Sequence, residues 1–131
     1  MDPKLERPGE LDEWEMCWYR ERLDDPALLD ACVVVVIEES RYLAVPVGGK
    51  RRGGYILLDD TNHLEQLRDA LKDRDGFPSV RVRWSRHPDV CHSIAWGDPH
   101  PRTTDQNKVL EFYGFDLDAV ERAWKEENEN V

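Results

Sequence analysis

The chain has few of the residues that would commit it to a known chemistry. Its 131 residues include three cysteines, Cys17, Cys32 and Cys91, an odd and widely spaced set without a C-x-x-C pair. That pattern supports neither a disulfide framework nor a thiolate metal knuckle, and it is expected of reduced thiols in a cytoplasmic protein. No H-E-x-x-H, no G-x-G-x-x-G and no serine-centred elbow occurs, so zinc peptidases, dinucleotide enzymes and serine hydrolases have no support. Apolar runs are short, the longest being Ala31 to Ile37, against the roughly 18–20 residues that cross a bilayer. The start, Met1 to Glu6, lacks the basic and apolar regions of a signal peptide. No membrane contact, metal, cofactor or catalytic residue is therefore expected.

Acidic residues are abundant, and their placement is uneven. The formal net charge is -10. Residues 1–40 hold 12 acids and 4 bases, and residues 103–131 hold 8 acids and 3 bases. Residues 41–102 invert the balance, with 11 bases and 8 acids. A phosphate-binding protein usually shows a broad basic face, so any contact with nucleic acid here must be local.

Periodicity gives the expected elements. Residues 1–9, with two prolines and a glycine, read as a mobile lead. Leu11, Trp14 and Trp18 recur at helical spacing as the buried stripe of a helix reaching about Leu23. Asp25-Pro26 starts a short second helix. Cys32 to Ile37 is a β-branched run suited to a strand buried on both faces. Arg41 to Val47 and Tyr55 to Leu58 are expected to form a hairpin. Asn62 and Glu65 suggest a capping box for a helix with Leu64, Leu67 and Leu71 inward. Val80 to Trp84 alternates, with Trp84 inward, and Cys91 to Trp96 returns as its partner. Two helices follow, from Asp105 to Tyr113 and from Leu117 to about Glu127, the second burying Trp124. Trp96 suits the core better than an exposed anchor.

The expected class is α+β, in the order α-βββ-α-ββ-α. About five mostly antiparallel strands would form one sheet, with helices on one face or at its ends. The domain would span residues 10–125, with 126–131 as a frayed tail.

Chemistry is concentrated most sharply in Gly48-Gly49-Lys50-Arg51-Arg52-Gly53-Gly54. Paired glycines would present main-chain N–H groups, and three cations would stand at the hairpin tip. The segment is not a P-loop, because Gly54 is followed by Tyr55 and a strand. Arg81, Arg83 and Arg86 form a second basic set, with Arg81 and Arg83 on one sheet face. The candidate contact surface is Gly49, Lys50, Arg51, Arg52, Gly53, Arg81, Arg83 and Arg86. His87, Cys91 and His92 make a third, weaker cluster. Their spacing suits neither a zinc site nor a complete triad.

Three stretches resemble a known family: Tyr19-Arg20 through Leu29, Leu43 through Tyr55, and Phe77 through Ser85 with His87-Pro88 and Cys91-His92. They are similar to small uncharacterised proteins of Streptomyces and related actinobacteria, over about residues 19–113. That resemblance implies a bacterial cytoplasmic setting. It carries no activity, the family being a domain of unknown function.

The function expected is that of a non-enzymatic binding module, a regulatory, adaptor or immunity-type protein. It would dock on a protein partner through the basic loop. One alternative is a nucleic-acid-associated protein using the same cations on phosphates, or an acidic mimic of nucleic acid. Another is a small enzyme acting on an anionic substrate.

Overall fold

The computed structural model describes residues 2–86 and 91–129. Its strands are β1 (Lys4–Glu6), β2 (Val33–Ile37), β3 (Ser40–Ala44), β4 (Gly53–Leu58), β5 (Arg81–Arg83) and β6 (His92–Gly97). Its helices are α1 (Glu13–Arg22), α2 (Thr61–Leu71), α3 (Gln106–Phe112) and α4 (Leu117–Glu129), and short 3-10 segments, Glu10–Asp12 and Pro26–Ala31, flank α1.

Helices and antiparallel strands are both present, but the single sheet is replaced by two. One has the order β1-β2-β3 and the other β4-β6-β5. The expected hairpin between β3 and β4 does not form. Its ladder ends at Ala44, opposite Val33, and two physical reasons are visible. Pro46 has no N–H to donate. The Val45 carbonyl is taken by side chains, accepting from Trp96 Nε1 at 3.1 Å and from Arg51 Nη2 at 3.3 Å. β4 pairs instead with β6, from Gly53 opposite Gly97 to Leu58 opposite His92.

The region read as a mobile lead contains a strand. β1 pairs antiparallel with β2, Lys4 opposite Val36 and Glu6 opposite Val34. Its prolines and glycine (Pro3, Pro8, Gly9) flank the strand rather than interrupt it. Arg41 fastens this edge. Its Nη1 donates to Glu6 Oε2 at 2.9 Å, and its Nε and Nη2 reach the two oxygens of Asp12 at 3.1 and 2.8 Å. At the other end, α4 stays helical to Glu129, beyond the point where fraying was expected.

β2 separates two apolar clusters. Val34 joins Leu43, Val45, Leu23, Leu29 and Cys32 on the α1 side. Val35 and Ile37 join α2 and the second sheet, including Leu64, Leu67, Leu71, Ile94 and Trp96. The β-branched run is thus buried on both faces, as its lack of polar alternation implied. α2 packs against β2, β4, β5 and β6, so one helix holds both sheets together from below. Its N-cap is Asp60, whose carboxylate accepts from the Asn62 N–H at 2.9 Å, two residues before the expected Asn62 cap.

Two helix phases differ from expectation. In α1 the inward residues are Met16 and Tyr19, continued by Leu23, while Leu11 and Trp14 are exposed. Both sets follow the helical period, so spacing alone did not choose between them. Trp18 is covered in part by the Arg22 guanidinium, 4.6 Å from the ring centroid, and Arg22 is anchored to Glu127 at 2.6 Å. In α4 the buried residue is Ala123, and Trp124 is exposed. Trp84 also faces solvent rather than the core, whereas Trp96 is almost wholly buried.

Candidate functional site

Because β3 and β4 do not pair, two sheet edges face one another. Beside these strands, against α1, lies a cavity of about 390 Å³. Arg41, Tyr42 and Leu43 line it from β3, and Tyr55, Ile56 and Leu57 from β4. Successive strand residues point to opposite faces. Leu43 packs on the α1 side, and Tyr42 on the α2 side, where its hydroxyl meets His63. No ladder joins these two strands.

Aromatic side chains build the wall above. α1 contributes Trp18 and Tyr19, and Phe115 enters from the turn before α4. Tyr19 and Phe115 stack at 6.3 Å between ring centroids, with Trp18 edge-on to both at 5.1 and 5.6 Å. Tyr113 packs edge-on to Tyr55 at 5.2 Å. The chain is tied here through Asp24 N–H to Gly114 C=O and Asp116 N–H to Arg22 C=O.

Arg51 also lines the cavity. It was expected at an exposed tip, yet only 4% of it is exposed. Its Nε donates to the Pro46 carbonyl at 3.1 Å, Nη1 to the Tyr113 carbonyl at 2.8 Å and Nη2 to the Val45 carbonyl at 3.3 Å. The guanidinium therefore ties the chain just after β3 to Tyr113, the residue that follows α3. Two glycines admit it. A Cβ on Gly54 would lie 2.6 Å from Arg51 Nη2 and from the Trp96 ring, and one on Gly114 would lie 2.5 Å from Arg51 Cβ. The glycine enrichment that suggested an open tip is, at Gly54, clearance for a buried cation.

The electrostatics around Arg51 are unusual. Among the described residues no carboxylate pairs with Arg51. Burial pulls its pKa down from the ordinary arginine value, opposed by Tyr19, Tyr113 and Tyr55. Burial likewise raises the tyrosine pKa of Tyr19 and of Tyr113, which keeps both phenols neutral at pH 7. Glu15, at the rim, has its pKa raised by burial and then by the charge of Asp12.

The other basic residues do not form one patch with Arg51. Gly49, with φ 53°, is the first central residue of a two-residue turn closed by reciprocal bonds between Gly48 and Arg51 at 2.9 and 3.0 Å. Lys50 is exposed and 3.8 Å from Asp24, while Arg52 is exposed and paired with Asp98 at 2.9 Å. Gly49, Lys50 and Arg52 line a wider groove of about 980 Å³ that also holds Asp24, Asp116 and Asp118. That mixture disfavours a simple anion site. Gly53 begins β4. Arg81 donates to the carbonyls of Ser79 and Gly97 at 2.9 Å and of Asp98 at 3.3 Å, so it meets Arg52 only around Asp98. Arg83 and Arg86 are exposed.

Of the weaker cluster, His87 lies outside the described residues. His92 Nδ1 accepts from the Ser85 N–H at 2.9 Å, and its ring sits 5.0 Å from that of Trp84. Cys91 is exposed, and all three cysteines are free. Among the described residues no group of three or more His, Cys, Asp or Glu is arranged to hold a metal ion, and no helix is long and apolar enough to cross a membrane.

Sequence reading did not single out Arg41, Tyr19, Tyr113 or His63. His63 is buried, with Nδ1 2.6 Å from the Tyr42 hydroxyl and Nε2 3.5 and 3.7 Å from Asp60 and Glu38. Apart from His63 and Asp60, three residues apart, these contacts join segments distant in sequence, so no local motif announces them. No curated protein and no solved structure matches the chain. A family model, by contrast, matches residues 10–131, and the chain belongs to that family, DUF6302, a family of unknown function.

Proposed function

We propose that this protein is a non-enzymatic binding module that seats a short segment of a protein partner in the aromatic groove bounded by α1, β3 and β4. One observation carries the reading: a cavity of about 390 Å³ is lined by Trp18, Tyr19, Tyr55, Leu57, Tyr113 and Phe115, of which Trp18, Tyr55 and Leu57 are exposed. Exposed aromatic and apolar side chains around a groove are the usual anchors of a partner segment. Arg41–Leu43 spans about 10 Å at roughly 3.3 Å per residue, enough for about three partner residues. The aromatic wall of Trp18, Tyr19 and Phe115 offers them apolar contact, as interface anchors commonly do. The partner class is the one the sequence suggested, but the contact surface moves from the loop tip to the cleft behind it.

The test is selection from random peptide libraries in two formats, one with free carboxyl ends and one with the random segment internal. Selected peptides are then measured against wild type, Leu57→Asp and Lys50→Ala/Arg52→Ala. Leu57 is 60% exposed, so the aspartate is tolerated by the fold. The expected result is binding lost in Leu57→Asp and retained in the loop variant. Binding that follows the loop variant instead would return the contact to Lys50 and Arg52.

A further inference from the structure

The stripe of Leu11, Trp14 and Trp18, which the sequence marks as core-facing, is left without a partner by the fold. Leu11 is 82% and Trp14 79% exposed, and Trp18 keeps 37%. Intervals of three and then four residues set them on one side of the 3-10 turn and α1. Apolar residues scattered singly over a surface need no explanation, but a contiguous row of this size marks a contact surface. Trp18 also lines the aromatic groove, so ridge and groove adjoin.

The spacing is that of successive a, d and a positions of a heptad, the seam on which two helices pack. Glu10 comes just before Leu11 and Glu15 just after Trp14, the g and e places that flank such a seam and set its partner. Among the described residues neither carboxylate pairs with a cation. The cations of α1 are engaged elsewhere. Arg20 pairs with Glu13 at 3.2 Å, and the buried Arg22 is held by Glu127 at 2.6 Å. These charges select the occupant. A second copy of this chain would oppose Glu10 to Glu15 in parallel packing, and each to itself in antiparallel packing, and like charges so placed are costly. An anionic bilayer repels the same acids. A basic helix meets neither penalty.

Resting on the docking reading above, we infer that the partner segment is a basic amphipathic helix, laid along α1 with its apolar stripe on Leu11, Trp14 and Trp18 and its cations on Glu10 and Glu15. Helix recognition of this kind uses anchors three and four residues apart. Trp18 and Glu15 belong to ridge and groove alike, so the helix meets the groove at that end.

The test uses peptides selected on the full chain from random segments of about 16 residues, long enough for about four helical turns. The binders should be rich in lysine and arginine, with apolar residues at helical spacing. Trp14→Ala should weaken them roughly 10-fold or more by titration calorimetry, the scale of an aromatic anchor. Trp14 is exposed, so this variant should match wild type in urea unfolding. A selected peptide with its cations changed to glutamate should lose binding to wild type and regain it with Glu10→Lys/Glu15→Lys. Neutral or acidic binders, or binders lost in Leu57→Asp but unaffected by Trp14→Ala, would overturn the basic helix and leave the docking reading intact. Binding lost in Trp14→Ala but kept in Leu57→Asp would uphold the helix and move docking off the groove. Libraries that yield no binder would overturn both.

Discussion

Arg51 and Arg52 are neighbours of the same chemical type, and the structure uses them in opposite ways. Arg52 is exposed and paired with Asp98 in a groove where acids answer the cations. Arg51 turns inward, bonds three carbonyls and faces a cavity without a counter-ion. The difference lies in what surrounds each residue. Gly54 leaves room for the Arg51 guanidinium and Gly114 for the base of its side chain, whereas Arg52 extends into an open groove. Charge read along a sequence is therefore a poor guide to charge presented to a partner.

The largest expected effect sharpens that contrast. Arg51→Met leaves the Pro46 and Tyr113 carbonyls without their side-chain donor, Val45 keeping that of Trp96, and should cost about 3 kcal/mol, each buried orphan being worth about 1–3. Arg52→Ala should change stability by about 0.5 kcal/mol or less, the usual scale for an exposed ion pair. Urea unfolding of both variants checks this. Equal losses would abolish the distinction.

Next come the glycines that admit Arg51. Gly114 has φ 81° and no room for a Cβ, so Gly114→Ala combines backbone strain with overpacking, about 2–4 kcal/mol. Gly54→Ala should cost about 1–3 kcal/mol by overpacking against Arg51 Nη2 and the Trp96 ring, without backbone strain. Gly9→Ala, with nothing within 4 Å, is the control and should be near neutral.

Asp12 offers a smaller effect with a pH signature. Hydrogen bonds from Arg41 hold its carboxyl below the ordinary value of 3.8. A depressed carboxyl stabilises the fold fully above that ordinary value, and the contribution disappears as pH falls through the lower folded value. Asp12→Asn should therefore cost about 2 kcal/mol at neutral pH, with the gap from wild type closing in acid. A gap that stays constant with pH would show that the pair contributes through shape alone.

The smallest effect concerns the thiols. Burial pushes Cys32 up to about 11, and Glu21, accepting a bond from Cys17 at 3.3 Å, raises that thiol as well. Cys91 is exposed. A thiol reagent at pH 8 should label Cys91 first and Cys32 only on unfolding, read by mass spectrometry.

Much of the secondary structure was legible because its signals are local. The β-branched run of β2, the leucine stripe of α2 and the alternation before β6 each lie within a few residues of one another. The partition into two sheets was not, because it depends on Val45 giving its carbonyl to Trp96 and Arg51 rather than to a strand. The phases of α1 and α4 were missed because tryptophans suggested burial where smaller neighbours, Met16 and Ala123, face inward. The site was half visible. The glycine-arginine segment stood out, but the cavity that Arg51 lines is assembled from residues of α1, β3, β4 and the α3–α4 turn.

The most direct test is amide hydrogen exchange of the full chain with and without a selected peptide. Docking in the cleft predicts new protection at residues 18–19, 41–43, 55–57 and 113–115, with little change at 48–50 and 116–118. Protection confined to the latter two segments, or none around the cleft, would contradict the account.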